Sequence, residues 1–161
     1  MLLTEKGFGM DDYFVIAAVI ISWGSFIILP KIFSKQLIIL IILFSLTVPS
    51  IMDNSFAVFP FDYYDILDGP EYTIMDLVVY LLYPPFGYFF LYFYKRLQIR
   101  IQNIFLYISA GAFLSVCFEW INHKLGVFHY KNGYQIIYSF CFYLVCQTIL
   151  ILYYQWIKTK H

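Results

Sequence analysis

Gln102-Asn-Ile-Phe-Leu-Tyr-Ile-Ser-Ala-Gly-Ala-Phe-Leu-Ser-Val-Cys-Phe-Glu-Trp-Ile121 is the stretch that decides the fold. It is a predominantly apolar run with one formally charged side chain, Glu119, near its end. A helix crossing about 30 Å of hydrocarbon needs roughly 17 to 25 such residues. Four other stretches have the same character, from about Tyr13 to Leu29, Gln36 to Met52, Ile74 to Tyr94 and Tyr134 to Ile157. Together they predict an all-α, polytopic transmembrane helix bundle of about five spans, with residues 1–161 forming a single integral membrane domain.

Composition supports the same class. Hydrophobic residues make up 62% of the 161 residues and charged residues 12%, about half the share usual in a soluble domain. Beside 18 Phe there are 16 Tyr, which suit the two borders of a bilayer, where the tyrosine ring stays dry and its hydroxyl stays wet. Ten basic and ten acidic residues leave no net charge, so nucleic acid is not an expected partner. Cys117, Cys141 and Cys146 lie inside apolar runs and match neither a disulfide framework nor a zinc pattern. Glu5, Asp11 and Asp12 against Lys6 give the first twelve residues the wrong charge for a signal peptide, so the first apolar run is expected to persist as a helix.

Lys and Arg in short loops set orientation. Lys31, Lys35, Lys95, Arg96, Arg100, Lys158 and Lys160 fall on one side, and Lys6, Lys124 and Lys131 on the other. The richer side is expected to be cytoplasmic, which places the N-terminus outside and the C-terminus inside. Glu5, Asp11, Asp12, Asp53, Asp62, Asp65, Asp68 and Glu71 then all lie outside, with Asp76 and Glu119 near the outer ends of their spans. The loop from Asp53 to Thr73 mixes acids with Phe56, Phe59, Phe61, Tyr63 and Tyr64, which suggests an interfacial segment. Within it Asp68-Gly69-Pro70 reads as a turn.

Carboxylates inside a bilayer are costly and usually face the bundle interior. Gly111, Ser115, Glu119 and His123 recur every four residues and share a helix stripe. Gly111 and Ser115 form a small face that admits a neighbouring helix. The structural expectation, which we take first, has Glu119 hydrogen-bonded across helices to a tyrosine or an amide. The functional alternative pairs Glu119 with His123 as acid and base, or joins Asp53, Asp76, Glu119 and His123, with His129 nearby, around a divalent metal. Asp76 also completes a capping-box pattern with Thr73. Ser139, Tyr143 and Gln147 repeat along the last span, where Gln147 requires a hydrogen-bond partner. Pro84 and Pro85 are expected to kink the third span, with neighbouring helices satisfying the freed carbonyls.

In chain order, the acid Asp53, Phe59-Pro60, Asp76 with Tyr80-Leu-Leu-Tyr-Pro84, Glu119, and Phe128-His-Tyr-Lys-Asn-Gly133-Tyr134 resemble a group of small, uncharacterised multi-pass membrane proteins of spore-forming Gram-positive bacteria. The likeness runs from about Ser50 to the C-terminus; where those proteins carry Trp after the glycine, this chain has Tyr134. The resemblance implies a helical protein of the bacterial plasma membrane and carries over no catalytic residue. The functional expectation is a non-enzymatic accessory or sensor component that meets a membrane-protein partner at its acidic, aromatic outer face. The alternative is a membrane-embedded enzyme acting on a lipid or envelope substrate through Glu119 and His123.

Overall fold

The computed structural model describes residues 8–57, 60–67 and 73–160. In chain order these form α1 (Met10–Ile28), α2 (Lys35–Phe56), strand β1 (Tyr64–Ile66), α3 (Ile74–Tyr80), α4 (Tyr83–Arg96), a 3-10 turn (Ile101–Asn103), α5 (Ile104–Lys124), strand β2 (Phe128–Tyr130) and α6 (Ile136–Lys160). Five helical segments are long and apolar enough to cross a membrane: Met10–Ile28, Lys35–Phe56, Ile74–Arg96, Ile101–Lys124 and Ile136–Thr159. Glu5, Lys6, Phe59, Asp68-Gly69-Pro70 and Glu71 lie outside the described residues.

Local chemistry sets most of the helix ends. Asp12 reaches back to accept the Gly9 N–H at 2.8 Å, capping α1, and Pro30 follows the C-cap residue Leu29, where a helix is hard to continue. Ser34 caps α2 by accepting the Leu37 N–H at 3.3 Å. Thr73 and Asp76 form a reciprocal capping box at α3, in which Asp76 Oδ2 accepts the Thr73 N–H at 2.6 Å and Thr73 Oγ1 accepts the Asp76 N–H at 3.3 Å. α2 and α5 run further than the apolar pattern implied, so Asp53 lies in the last turn of α2 and His123 in the last turn of α5.

The third span breaks before its prolines. α3 ends at Tyr80, Leu81 and Leu82 make a turn, and Pro84 and Pro85 sit in the first turn of α4. A proline ring clashes with the carbonyl four residues back and offers it no donor, so the carbonyls released are those of Tyr80 and Leu81. Trp23 Nε1 on α1 donates to the Leu81 carbonyl at 2.9 Å. The neighbouring helix thus supplies the donor that Pro85 lacks.

Two apolar cores stack along the bundle. One joins Phe33, Ile41, Tyr88, Leu91, Ile108, Leu150, Ile151 and Tyr154 at the end that carries the lysine-rich loops. The other joins Val15, Tyr64, Ile66, Leu67, Met75, Val79 and Val127 at the opposite end. For helices that cross a membrane, lipid tails remove much of the hydrophobic incentive for association, and close backbone approach takes over. A Cβ on Gly87 of α4 would lie 1.9 Å from Ser45 Oγ and 2.6 Å from Ser45 Cβ on α2. On α5, a Cβ at Gly111 would meet Gln147 Oε1 of α6 at 2.6 Å and Phe90 Cε2 of α4 at 2.8 Å.

The feature the sequence pattern did not disclose is a two-stranded antiparallel ribbon. β1 and β2 pair Tyr64 with Tyr130, Asp65 with His129 and Ile66 with Phe128. The aromatic loop after α2 is therefore folded back onto the segment after α5 as well as lying across the end of the bundle. Left-handed residues bound both strands, Asp62 and Leu67 around β1, Gly126 and Asn132-Gly133 around β2. Asn132 Nδ2 donates to the Asp62 carbonyl at 2.8 Å, and Lys131 bridges Asp62 at 2.8 Å and Asp65 at 2.7 Å.

Candidate functional site

The first rung of the ribbon plugs two tyrosines into the helix bundle, each onto a different carboxylate. Tyr64 of β1 donates its hydroxyl to Asp53 Oδ1 at 2.7 Å. Its rung partner, Tyr130 of β2, donates to Glu119 Oε1 at 2.6 Å. Tyr83, the first residue of α4, donates to Asp53 Oδ2. From α6, Ser139 Oγ donates to Glu119 Oε1 at 2.6 Å and Tyr143 to Oε2 at 2.7 Å. Ser139 has one hydroxyl proton and gives it to Glu119, so its contact with Tyr134 at 2.8 Å is donated by the Tyr134 hydroxyl.

One network consequently joins α2, α4, α5, α6 and both strands. Tyr134 is its hub of rings, 5.4 Å from Tyr64 and 5.3 Å from Tyr130 between centroids. Glu119 is 7% exposed, and burial of an anion is tolerated only when its lone pairs are well supplied. Hydroxyl donors do this without a cation: the ion pairs among the described residues are those of Lys131 with Asp62 and Asp65.

The facing stripes of α5 and α6 explain how Glu119 is held. Ser139 and Tyr143 meet Glu119, and one turn further Gln147 Nε2 donates to Ser115 Oγ at 3.2 Å. Ser115 in turn donates to the Gly111 carbonyl at 3.0 Å. Gly111, Ser115 and Gln147 thus form the packed continuation of the site below Glu119.

His123 stands beside the network with its hydrogen bond directed away from Glu119. Its ring stacks on Tyr130 at 4.3 Å with 10° between planes, and its Nδ1 lies 2.7 Å from the Phe128 carbonyl. A carbonyl only accepts, so Nδ1 is the donor and the tautomer is set by the backbone of β2. Asp76 is engaged in its capping box. Among the described residues no three of His, Cys, Asp and Glu are placed to hold a metal. Of the four residues expected to gather around a divalent metal, Asp53 and Glu119 belong to the network, Asp76 turns to its own helix end, and His123 faces a carbonyl. Tyr64, Tyr83 and Tyr130 carried no sequence signal of their own, because a tyrosine at a membrane border is expected whether or not it has a partner.

Burial, followed by the charge of Asp53, pushes the Tyr64 hydroxyl well above its ordinary value of 10.0. Burial and the hydrogen bond to Glu119 do the same for Tyr130. Both therefore remain protonated donors through the neutral range. Because the folded values are raised, their contribution to stability is complete below about pH 10 and is lost as pH climbs toward the folded values. Melting temperature in detergent is expected to hold steady from about pH 8 to about pH 10 and fall above it. The Tyr64→Phe/Tyr130→Phe variant, melting lower throughout, is expected to lose part of that alkaline fall; an unchanged fall would assign it to other groups.

No known family model, curated protein or solved structure matches this chain.

Proposed function

We propose that this chain is a multi-pass plasma-membrane protein with its N-terminus outside and C-terminus cytoplasmic, acting as a non-enzymatic accessory or sensor component. On this reading the ribbon is its outer face, and the Asp53–Glu119 network latches that face to the helices so that it is presented in one shape to a membrane-protein partner. The observation that carries the proposal is the occupancy of the carboxylates. Each oxygen of Asp53 and Glu119 accepts a hydroxyl from the chain itself. A latch requires that arrangement, whereas a general base needs an oxygen aimed at a substrate. The seven-to-three division of Lys and Arg supports the orientation, and the motif resemblance supports a bacterial plasma membrane.

A second reading, an enzyme acting on a lipid or envelope substrate, is favoured by one observation. Two carboxylates and an imidazole gather at one end of the bundle, with His123 stacked on the tyrosine that Glu119 binds. Native mass spectrometry of the detergent-extracted protein and its Glu119→Gln variant separates the two. A protein subunit retained by wild type and weakened in the variant is the expected result. A lipid or metal adduct that the variant loses would overturn the accessory reading. Reporter fusions after Lys35, Asp65, Arg100, Gly126 and Lys160 test orientation, and a cytoplasmic signal at Asp65 would reverse it.

A further inference from the structure

At the end of the bundle opposite the ribbon, two lysines are held in place by aromatic rings and backbone carbonyls. Lys31 Nζ lies 3.9 Å from the centroid of Phe26 and 5.7 Å from that of Tyr88, and it donates to the Phe26 carbonyl. Lys95 Nζ lies 4.9 Å from the centroid of Phe33 and donates to the Ile32 carbonyl at 2.6 Å. Tyr88 links the two, its ring edge-on to Phe26 at 4.7 Å and to Phe33 at 5.7 Å. Both ammoniums are exposed, and neither has a carboxylate partner among the described residues.

This differs from an ordinary basic loop. A free lysine gives up side-chain entropy when it grips an anion, whereas here one donor of each ammonium is already spent on a carbonyl and the chain is ordered. An ammonium has three donors, so two remain on each. Tyr88 is fully buried between the rings, and its hydroxyl has no partner among the described residues. Lys35 at the start of α2, Arg96 at the end of α4 and Arg100 just beyond it add positive charge at the same end of the bundle.

We propose that Lys31 and Lys95 form a binding site for the phosphate of an anionic phospholipid in the adjoining leaflet, with Phe26, Tyr88 and Phe33 as its floor. The lipid is the occupant that the position favours: the site lies where helical spans end, beside exposed Ile27 and Ile28 of α1 on which acyl chains can lie. The juxtaposed charge and apolar surface match a headgroup and its chains together. The proposal requires that the helices span a bilayer, and it is independent of which end is cytoplasmic and of any role for Glu119.

The test is native mass spectrometry of the detergent-purified full chain titrated with phosphatidylglycerol or phosphatidylcholine of identical acyl chains. Wild type is expected to retain phosphatidylglycerol preferentially. Lys31→Gln/Lys95→Gln is expected to reduce that preference about tenfold or more, since each lysine near a headgroup contributes appreciably. Lys35→Gln/Arg100→Gln removes the same charge from the same end without touching the anchored pair, and is expected to reduce it by less than about threefold. Equal retention of both lipids by wild type, or equal losses in the two double variants, would overturn the site. Should the first double variant fail to fold, the single variants Lys31→Gln and Lys95→Gln each carry the same expectation at about threefold or more.

Discussion

Glu119→Ala is expected to unfold the ribbon end of the bundle or lower stability by about 3–5 kcal/mol, because it strands three hydroxyl donors at once. The loss has an identifiable origin. Truncation leaves the hydroxyls of Tyr130, Ser139 and Tyr143 without their acceptor, and each buried orphan costs about 1–3 kcal/mol. Three donors converging on one 7%-exposed side chain place this site toward the upper end.

Glu119→Gln separates charge from shape. Its amide oxygen can still accept from Tyr130 and Ser139, while Tyr143 must rotate to accept from the new NH₂ group. The cost is expected to be about 1–2 kcal/mol, the difference between charge-assisted and neutral hydrogen bonds. Thermal melting in detergent ranks the variants, and hydrogen exchange at β2 reads the ribbon directly. If Ala and Gln melt together at the wild-type temperature, the network does not hold the fold.

Gly87→Ala is expected to cost about 2–3 kcal/mol by forcing α2 and α4 apart. Its Cβ would lie 2.6 Å from Ser45 Cβ, an atom next to the backbone that no rotamer change can move. Ser45→Gly in the same chain removes the collision and is expected to recover most of the loss, less about 0.5–1 kcal/mol for a second helical glycine. Gly24 is the internal control: nothing lies within 4 Å of its would-be Cβ. Gly24→Ala is expected to be neutral or to stabilise by up to about 1 kcal/mol. Gly111→Ala falls between, because the nearest atom it meets is the tip of the Gln147 side chain. Melting temperatures that fail to follow this order would remove close α2–α4 approach as the cause.

Several parts of the site were legible from residue spacing alone. The Gly111-Ser115-Glu119 stripe and the Ser139-Tyr143-Gln147 stripe each repeat every four residues, and in the structure they face each other across α5 and α6. The capping box of Thr73 and Asp76 is a contact three residues apart, which local sequence can specify. Asp53 was visible as an acid at a helix end, where the dipole disfavours it, but its partners Tyr64 and Tyr83 were not. One lies in a strand of three residues, too short to show alternation, and the other opens α4 just after the break in the third span.

By itself the sequence determined that five helical segments are long and apolar enough to span a membrane, and which faces of two of them are small and polar. Length, hydropathy and four-residue periodicity are properties of contiguous residues, so they need no knowledge of the rest of the chain. Only the tertiary structure decided that Tyr64 and Tyr130 share a rung and deliver their hydroxyls to Asp53 and Glu119. That pairing joins residues 66 positions apart, and closing so long a loop depends on how α2, α5 and α6 pack, which no local pattern records. The same packing explains the two carboxylates: they are stable in the bundle because its assembly brings five hydroxyl donors to four oxygens.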